Sequence, residues 1–355
     1  MKILAMYLPQ YHTFKENNEW WGEGYTEWTA VKRGKPLYKG HVQPRVPLND
    51  NYYDLVKDGV NTWKWQASLA KEYGVDGFSI YQYWFNGKQL MNKPMEILLE
   101  HEEIDINYCI CWANESWTRT WYGLANQVLM EQTYGTEEDW KKHFDYNLQF
   151  FKDKRYIKIN NKPLFQIYRS FDIEDLDKML DCFNKWAKEA GFDGIHVLFG
   201  KTGWEAEKRN NLADGYYFFE PGYTLNHDFA KMSRISYKIR VAVISTINKI
   251  KKNKVLERYI PAKNILERIV DRKYEKNDCP CIFPDWDNTP RRSHKGLVYK
   301  GTSPEYFSNC LKKLINNNPE IVFINAWNEW GEGAYLEPDT YRRYAYLEAI
   351  KECRK

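Results

Sequence analysis

The chain has 355 residues, 43% of them hydrophobic and 28% charged. That balance excludes a disordered chain, and a mean hydropathy of −0.73, with no run near the roughly 20 apolar residues of a membrane span, argues against a membrane-embedded protein. A net charge of +4 selects no partner, and no nucleic acid is expected as one.

Short apolar runs that end in polar or aromatic residues recur along the chain. They fall at residues 2–8, 77–85, 106–113, 163–168, 195–199, 215–219, 279–283 and 321–326, and each reads as a strand. Between them lie amphipathic segments. Residues 61–73 stop at Gly74, 137–151 follow, and 173–190 stop at Gly191; 303–315 and 341–353 complete the series. Strand then helix, repeated about eight times, predicts one (β/α)₈ TIM barrel spanning residues 1–355. A doubly wound open sheet gives the same pattern, because the pattern alone does not show closure.

Two stretches exceed a minimal barrel. Residues 12–60 form a long aromatic loop after the first strand, and loops of that length are usually functional. Residues 230–276 hold 14 Lys and Arg against 4 Asp and Glu, so this insertion between strands 6 and 7 carries +10 in a chain whose total is +4. It reads as a solvated basic helical insertion. The sharper reading is a contact for an anionic membrane surface or a lipid-linked glycan.

The strand ends carry the chemistry. They present Tyr7 and Gln10; Tyr83 and Trp84; Trp112, Asn114 and Glu115; Tyr168 and Arg169; Lys201; Glu220; Asp285, Trp286 and Asp287; and Trp327, Asn328, Glu329 and Glu332. The strand starts carry turn residues instead, Asp76-Gly77, Asp193-Gly194, Asp214-Gly215 and Lys162-Pro163. Catalytic groups of such barrels gather at the C-terminal strand ends, so this asymmetry predicts an enzyme. Glycosidic bond cleavage needs two carboxyl groups about the scissile bond. Glu329 and Glu332 meet that need if Gly331 and Gly333 turn the chain sharply. With 17% aromatic residues, Trp28, Trp84, Trp112, Trp286 and Trp327 are candidate sugar platforms. Tyr7 and Tyr83 join them as strand-end contacts, and Asn114, Glu115, Asp287 and Asn325 are candidate hydroxyl contacts.

Other signals drop out. The GKT at 200–202 follows an apolar strand rather than a phosphate-binding glycine loop, and Gly22-x-Gly24 and Gly331-x-Gly333 lack a third glycine. Asp285-Trp-Asp287 is too short a motif to imply a metal, and no His-Glu-x-x-His occurs, so no metal and no cofactor is expected. The seven cysteines include Cys109-x-Cys111 and Cys279-x-Cys281, a spacing that suits reduced strand thiols. The apolar start MKILAMYLPQYH breaks at Pro9, too early for a signal peptide. The expected location is therefore the cytoplasm, peripheral to the inner membrane if the basic insertion docks there.

Several motifs resemble one family together: AMYLPQYH (5–12), GYTEWTAVKRGKPLYKGH (24–41), DGFSIYQYWFNGK (76–88), CWANESWTR (111–119), KPLFQIYR (162–169), WDNTPRR (286–292) and AWNEWGEG (326–333). They resemble WbsX-type proteins, which are similar to glycoside hydrolase family 99. The resemblance implies a (β/α)₈ barrel and a retaining reaction at α-linked sugars, typified by endo-acting α-1,2-mannosidases. It implies that Glu329 is the base on the sugar's own 2-hydroxyl, giving a 1,2-anhydro sugar, and that Glu332 is the general acid/base. It also implies that Tyr168 contacts a catalytic carboxylate. The substrate expected is an oligo- or polysaccharide, such as a bacterial surface polysaccharide or a mannan-like glycan. Glycosyl transfer in O-antigen or capsular polysaccharide biosynthesis is the alternative, and a non-catalytic carbohydrate-binding protein is the third reading.

Overall fold

The computed structural model describes residues 1–118, 128–204 and 207–355; Arg119, the last residue of the CWANESWTR motif, lies outside them. The apolar runs form parallel strands: β1 (Lys2–Tyr7), β2 (Gly77–Phe85), β3 (Asn107–Trp112), β4 (Lys162–Ile167), β5 (His196–Lys201), β6 (Gly215–Phe218), β7 (Asp278–Cys279), β8 (Cys281–Ile282) and β9 (Ile321–Ile324). Neighbours run β7-β6-β5-β4-β3-β2-β1-β9-β8. The two ends of that path flank Pro280. A proline has no N–H for a ladder bond, so one strand splits into β7, which pairs with β6, and β8, which pairs with β9. Eight strand positions thus close into a nearly complete barrel, as expected.

β2 and β9 are buried along their whole lengths. Continuous apolar runs, not alternating ones, are what a parallel sheet covered on both faces requires. The helices that cover it are α1 (Gly59–Tyr73), α2 (Lys93–Glu100), α3 (Glu137–Phe151), α4 (Leu176–Glu189), α6 (Lys263–Asp271), α7 (Pro304–Asn316) and α8 (Ala345–Cys353), while α5 (Lys231–Ile250) packs against the strand Arg258–Pro261. α7 shows how sequence sets a start. Ser303 Oγ accepts from Tyr306 N at 3.1 Å and Pro304 takes the first turn, where its missing N–H costs nothing.

The aspartates at strand starts have a further task. Asp76 Oδ2 accepts the N–H of Ile3 at 2.6 Å, and Asp214 Oδ2 accepts that of Val197 at 2.8 Å. Each side chain satisfies a donor that the neighbouring strand leaves open at the barrel's N-terminal rim.

The basic stretch divides in two. α6 buries Ile265, Leu266, Ile269 and Val270 and packs against α7 as an ordinary barrel helix. α5 buries only Asn248. Between them Arg258–Pro261 pairs in parallel with Leu297–Lys300, outside the barrel. No helix among the described residues is long and apolar enough to cross a membrane.

Candidate active site

A pocket with about 990 Å³ of empty space, mouth included, opens at the C-terminal strand ends. Successive strand ends each contribute to it: Leu8 and Gln10 after β1, Tyr81 and Tyr83 on β2, Ala113 and Glu115 after β3, Tyr168 after β4. Trp204 and Phe219 follow β5 and β6, Trp286, Asn288, Arg291 and Arg292 follow β8, and Glu329 and Glu332 follow β9. Six of the expected site residues therefore share one cavity: Tyr83, Glu115, Tyr168, Trp286, Glu329 and Glu332.

The glutamates sit on a tight turn. Asn328 and Glu329 pair antiparallel with Ala334 and Tyr335, a 3₁₀ turn spans Trp330–Glu332, and Gly333 adopts a left-handed φ of 64°. Gly331 answers a different demand. A Cβ there would lie 1.8 Å from Glu27 Oε1 and 2.6 Å from Arg291 Nε, so only glycine lets that ion pair approach. The turn is tied down on both sides. Asn328 exchanges two hydrogen bonds with the backbone of Leu8, Nδ2 to O at 3.0 Å and N to Oδ1 at 2.8 Å. Asp287 N donates to Glu332 O at 2.6 Å.

One cation serves three carboxylates. Arg291 lies 2.7 Å from Glu27 (Nε to Oε1), 2.9 Å from Glu329 (Nη2 to Oε2) and 2.9 Å from Glu332 (Nη1 to Oε1). The Glu27 side chain is fully buried, that of Glu329 is 10% exposed and that of Glu332 is 23% exposed. Burial raises the pKa of both Glu329 and Glu332, and Arg291 offsets part of that rise. Glu115 is pushed up to about 7 by burial, with Arg169 3.5 Å away opposing the shift.

The other expected contacts do not line this pocket, and their side chains are committed elsewhere. Tyr7 stacks on Trp63 at 4.6 Å and donates to Gln66 Oε1 at 2.8 Å. Trp28 donates to Tyr53 O at 2.8 Å, Trp84 stacks on His143 at 4.7 Å, and Trp112 donates to Trp84 O at 3.0 Å. Asn114 brackets Arg169, accepting from its N at 2.8 Å and donating to its O at 2.9 Å. Asn325 donates to Glu220 O at 2.7 Å. Trp327 is fully buried and donates to Glu337 Oε1 at 3.0 Å. Asp287 is buried and accepts from His41, Gln43 and Thr289. Since His41 Nδ1 accepts from Leu37 N, Nε2 holds the proton donated to Asp287. Burial works against the Asp287 carboxylate, but these bonds win and hold its pKa below the ordinary value.

Arg291, Arg292, Glu27 and Glu337 are absent from the expected site residues. The first three stand inside motifs read above, WDNTPRR and GYTEW. Glu337 anchors the turn from below: its carboxylate accepts from Gln66 Nε2 at 2.7 Å, Trp327 Nε1 at 3.0 Å, Trp330 Nε1 at 2.7 Å and Tyr53 OH at 3.1 Å. The tryptophans flanking the glutamate-bearing turn are its fasteners.

The fold is similar to that of the GH99 endo-alpha-mannosidase from Bacteroides thetaiotaomicron. The match has a TM-score of 0.55, 15% identity, and covers 99% of this chain and 96% of that one. A glycoside hydrolase-like protein matches with a TM-score of 0.59 and 10% identity over 100% of this chain and 94% of the other. The fold class is a GH99-like (β/α)₈ barrel. Residues 3–350 match the model of the family described as Glycosyltransferase WbsX, and the chain belongs to that family. The uncharacterized proteins WxcX of two Xanthomonas campestris pv. campestris strains are 33% and 32% identical over 99% of this chain. The chain spans 49% of the length of those relatives.

Proposed function

We propose that this chain cleaves α-glycosidic bonds in a bacterial surface polysaccharide or mannan-like glycan with retention of configuration. The observation that carries the reading is the Glu329/Glu332 pair on one pocket wall, both held by Arg291. Glu329 takes the proton of the sugar's 2-hydroxyl as O2 attacks C1. The bond from C1 to the leaving oxygen breaks, and Glu332 gives that oxygen its proton. Water then attacks C1 and loses a proton to Glu332, while the C1–O2 bond breaks and O2 recovers its proton from Glu329. Each glutamate ends as it began. The roles follow the family-99 resemblance, and burial that raises both carboxyl pKa values suits a pair that must hold one proton near neutrality. Trp286 and Tyr83 supply apolar walls for a sugar ring, and Glu115 accepts from its hydroxyls.

A second reading has a specific support. The family's description is that of a glycosyltransferase, and the same anhydro intermediate reacts equally well with a sugar hydroxyl in place of water. In that case the protein extends glycans of O-antigen or capsule type.

Mass spectrometry of products from surface polysaccharide and α-1,2-mannan, with wild type beside Glu332→Gln, tests both. Shortened chains from the wild type, at a rate roughly 10²–10⁴-fold above the variant, are the expected result. Lengthened chains when lipid-linked donor and acceptor are supplied establish transfer. Glycan binding that Glu332→Gln leaves intact, with no product from either protein in any mixture, overturns catalysis in favour of a binding role.

A further inference from the structure

We infer that α5 is a docking helix for an anionic phospholipid surface, independent of which glycosyl reaction the pocket performs. The helix has two apolar faces, and only one is used. Tyr237, Val241, Ile244 and the buried Asn248 recur at intervals of three and four residues and face the protein. This inner face is pinned: Asn248 Nδ2 donates to Val255 O at 2.8 Å, and Arg258 Nε donates to Tyr237 OH at 3.0 Å. The helix therefore cannot roll to bury its other side.

That other side carries Met232 (76% exposed), Ile235 (44%), Ile239 (61%), Val243 (54%), Ile247 (41%) and Ile250 (85%). At 3.6 residues per turn they share an arc of roughly 120° that runs the length of the helix. These are six of the eleven large apolar side chains exposed among the described residues, gathered on a single helix. A scattered exposed apolar residue needs no explanation, but a contiguous stripe does.

The surrounding charge says what covers it. Residues 229–256 contain eight Lys and Arg and no Asp or Glu. Lys231, Lys238 and Lys249 are exposed along one flank of the stripe, and exposed Lys251, Lys252 and Lys254 continue past its end. A second copy of this chain fits poorly, because a two-fold contact sets these lysine rows against each other. Apolar residues with a one-signed basic border match the boundary between acyl chains and anionic headgroups.

The helix also stands at a useful place. It follows the C-terminal end of β6, the pocket end of the barrel. The strand Arg258–Pro261 after it pairs with Leu297–Lys300, and the segment just before Leu297 carries Trp286, Arg291 and Arg292 of the pocket wall. Docking through α5 holds the pocket close to the lipid surface.

The test is vesicle flotation of the full chain with phosphatidylcholine vesicles, with and without an equal share of phosphatidylglycerol. The wild type should float with anionic vesicles only, and salt should release it. Ile239→Asp with Val243→Asp, both exposed, should reduce the bound fraction at least tenfold with an unchanged thermal midpoint. Lys251→Glu, Lys252→Glu and Lys254→Glu together give a second arm that does not touch the helix. The inference is overturned if the wild type floats with neither vesicle, or if both sets of changes leave flotation intact. It is equally overturned if light scattering finds a dimer that Ile239→Asp with Val243→Asp dissolves, since the stripe is then a protein interface.

Discussion

Arg291 Nη2 donates to Glu329 Oε2 at 2.9 Å, and the guanidinium is itself backed by the fully buried Glu27. Burial raises the pKa of both carboxyls, and the Arg291 cation beside them limits that rise. In the proposed reaction Glu329 must be ionised and Glu332 protonated, so the rate falls on the acid side as Glu329 gains a proton and on the alkaline side as Glu332 loses one. The pair titrates as a unit. Arg291→Met removes the cation that lowers both pKa values. The acid limb of kcat/KM should then move up by roughly 1–3 pH units, the size of an arginine's effect on a neighbouring carboxylate. Arg291→Lys should restore part of the shift, and a pH–rate profile of the three proteins decides it. An acid limb that stays in place would show that Arg291 only packs.

Gly331→Ala tests the same cluster without removing a charge. Its Cβ would enter the space of Glu27 Oε1 and Arg291 Nε, so the ion pair must move and the guanidinium loses its aim at both glutamates. The expected result is a fall in kcat with the pH profile displaced in the direction of Arg291→Met. Gly333→Ala is the comparison. Its left-handed backbone, φ 64°, costs an alanine roughly 1–2 kcal/mol, which a urea titration reads as lost stability. A Cβ at Gly333 would also meet Asp287 N at 2.9 Å but neither Glu27 nor Arg291, so a Gly331→Ala pH profile that stays in place, with only stability lost, would show that the ion pair does not depend on glycine at 331.

The strands were legible because a parallel barrel buries both faces of each one, which leaves unbroken apolar runs such as residues 321–326. α2 was not, since Lys93–Glu100 is short and opens on Lys93-Pro94, which reads as a loop. α6 lay hidden inside a basic stretch whose net charge masked the spacing of Ile265, Leu266, Ile269 and Val270. At the site, the acidic turn was visible as local sequence. Its partners were not, because Arg291 and Glu27 lie 264 positions apart and only the closed barrel joins them. The tryptophans misled for a related reason. A strand-end Trp looks the same in sequence whether it faces the pocket, as Trp286 does, or the core, as Trp327 does.

That distinction gives a paired prediction. Trp327 is fully buried against Phe78 at 4.9 Å, so Trp327→Ala should cost about 3–5 kcal/mol of stability. Trp286 lines the pocket and is only partly buried. Trp286→Ala should raise KM for the glycan severalfold, with stability lowered by about 1 kcal/mol or less. Urea unfolding beside steady-state kinetics separates the two. Comparable stability losses would mean that Trp286 is a core residue and no platform.

Glu337 makes stability depend on pH in an unusual direction. Burial pushes its pKa up to about 7, against the four hydrogen bonds that favour the ionised form. In the unfolded chain the same carboxyl titrates near the ordinary value of 4.5. A group whose folded pKa is raised contributes stability that is fully present below the unfolded pKa and is lost as pH climbs through the folded one. Between about pH 4.5 and 7 Glu337 should therefore make the protein less stable as pH rises, where an ordinary salt-bridged carboxylate does the opposite. Glu337→Gln does not titrate. It should flatten this slope, and it should also lower stability throughout, because its amide N–H₂ faces Trp330 Nε1 or Trp327 Nε1, donors that need an acceptor. Urea unfolding at several pH values, for wild type and variant, reads both effects. A wild-type slope that survives the substitution unchanged would move the source to the other carboxyls whose pKa values burial raises, Glu329, Glu332, Glu115, Glu220 and Asp172. The matching measurement on Glu115→Gln, which leaves the Arg291 cluster whole, then shows whether Glu115 carries the slope.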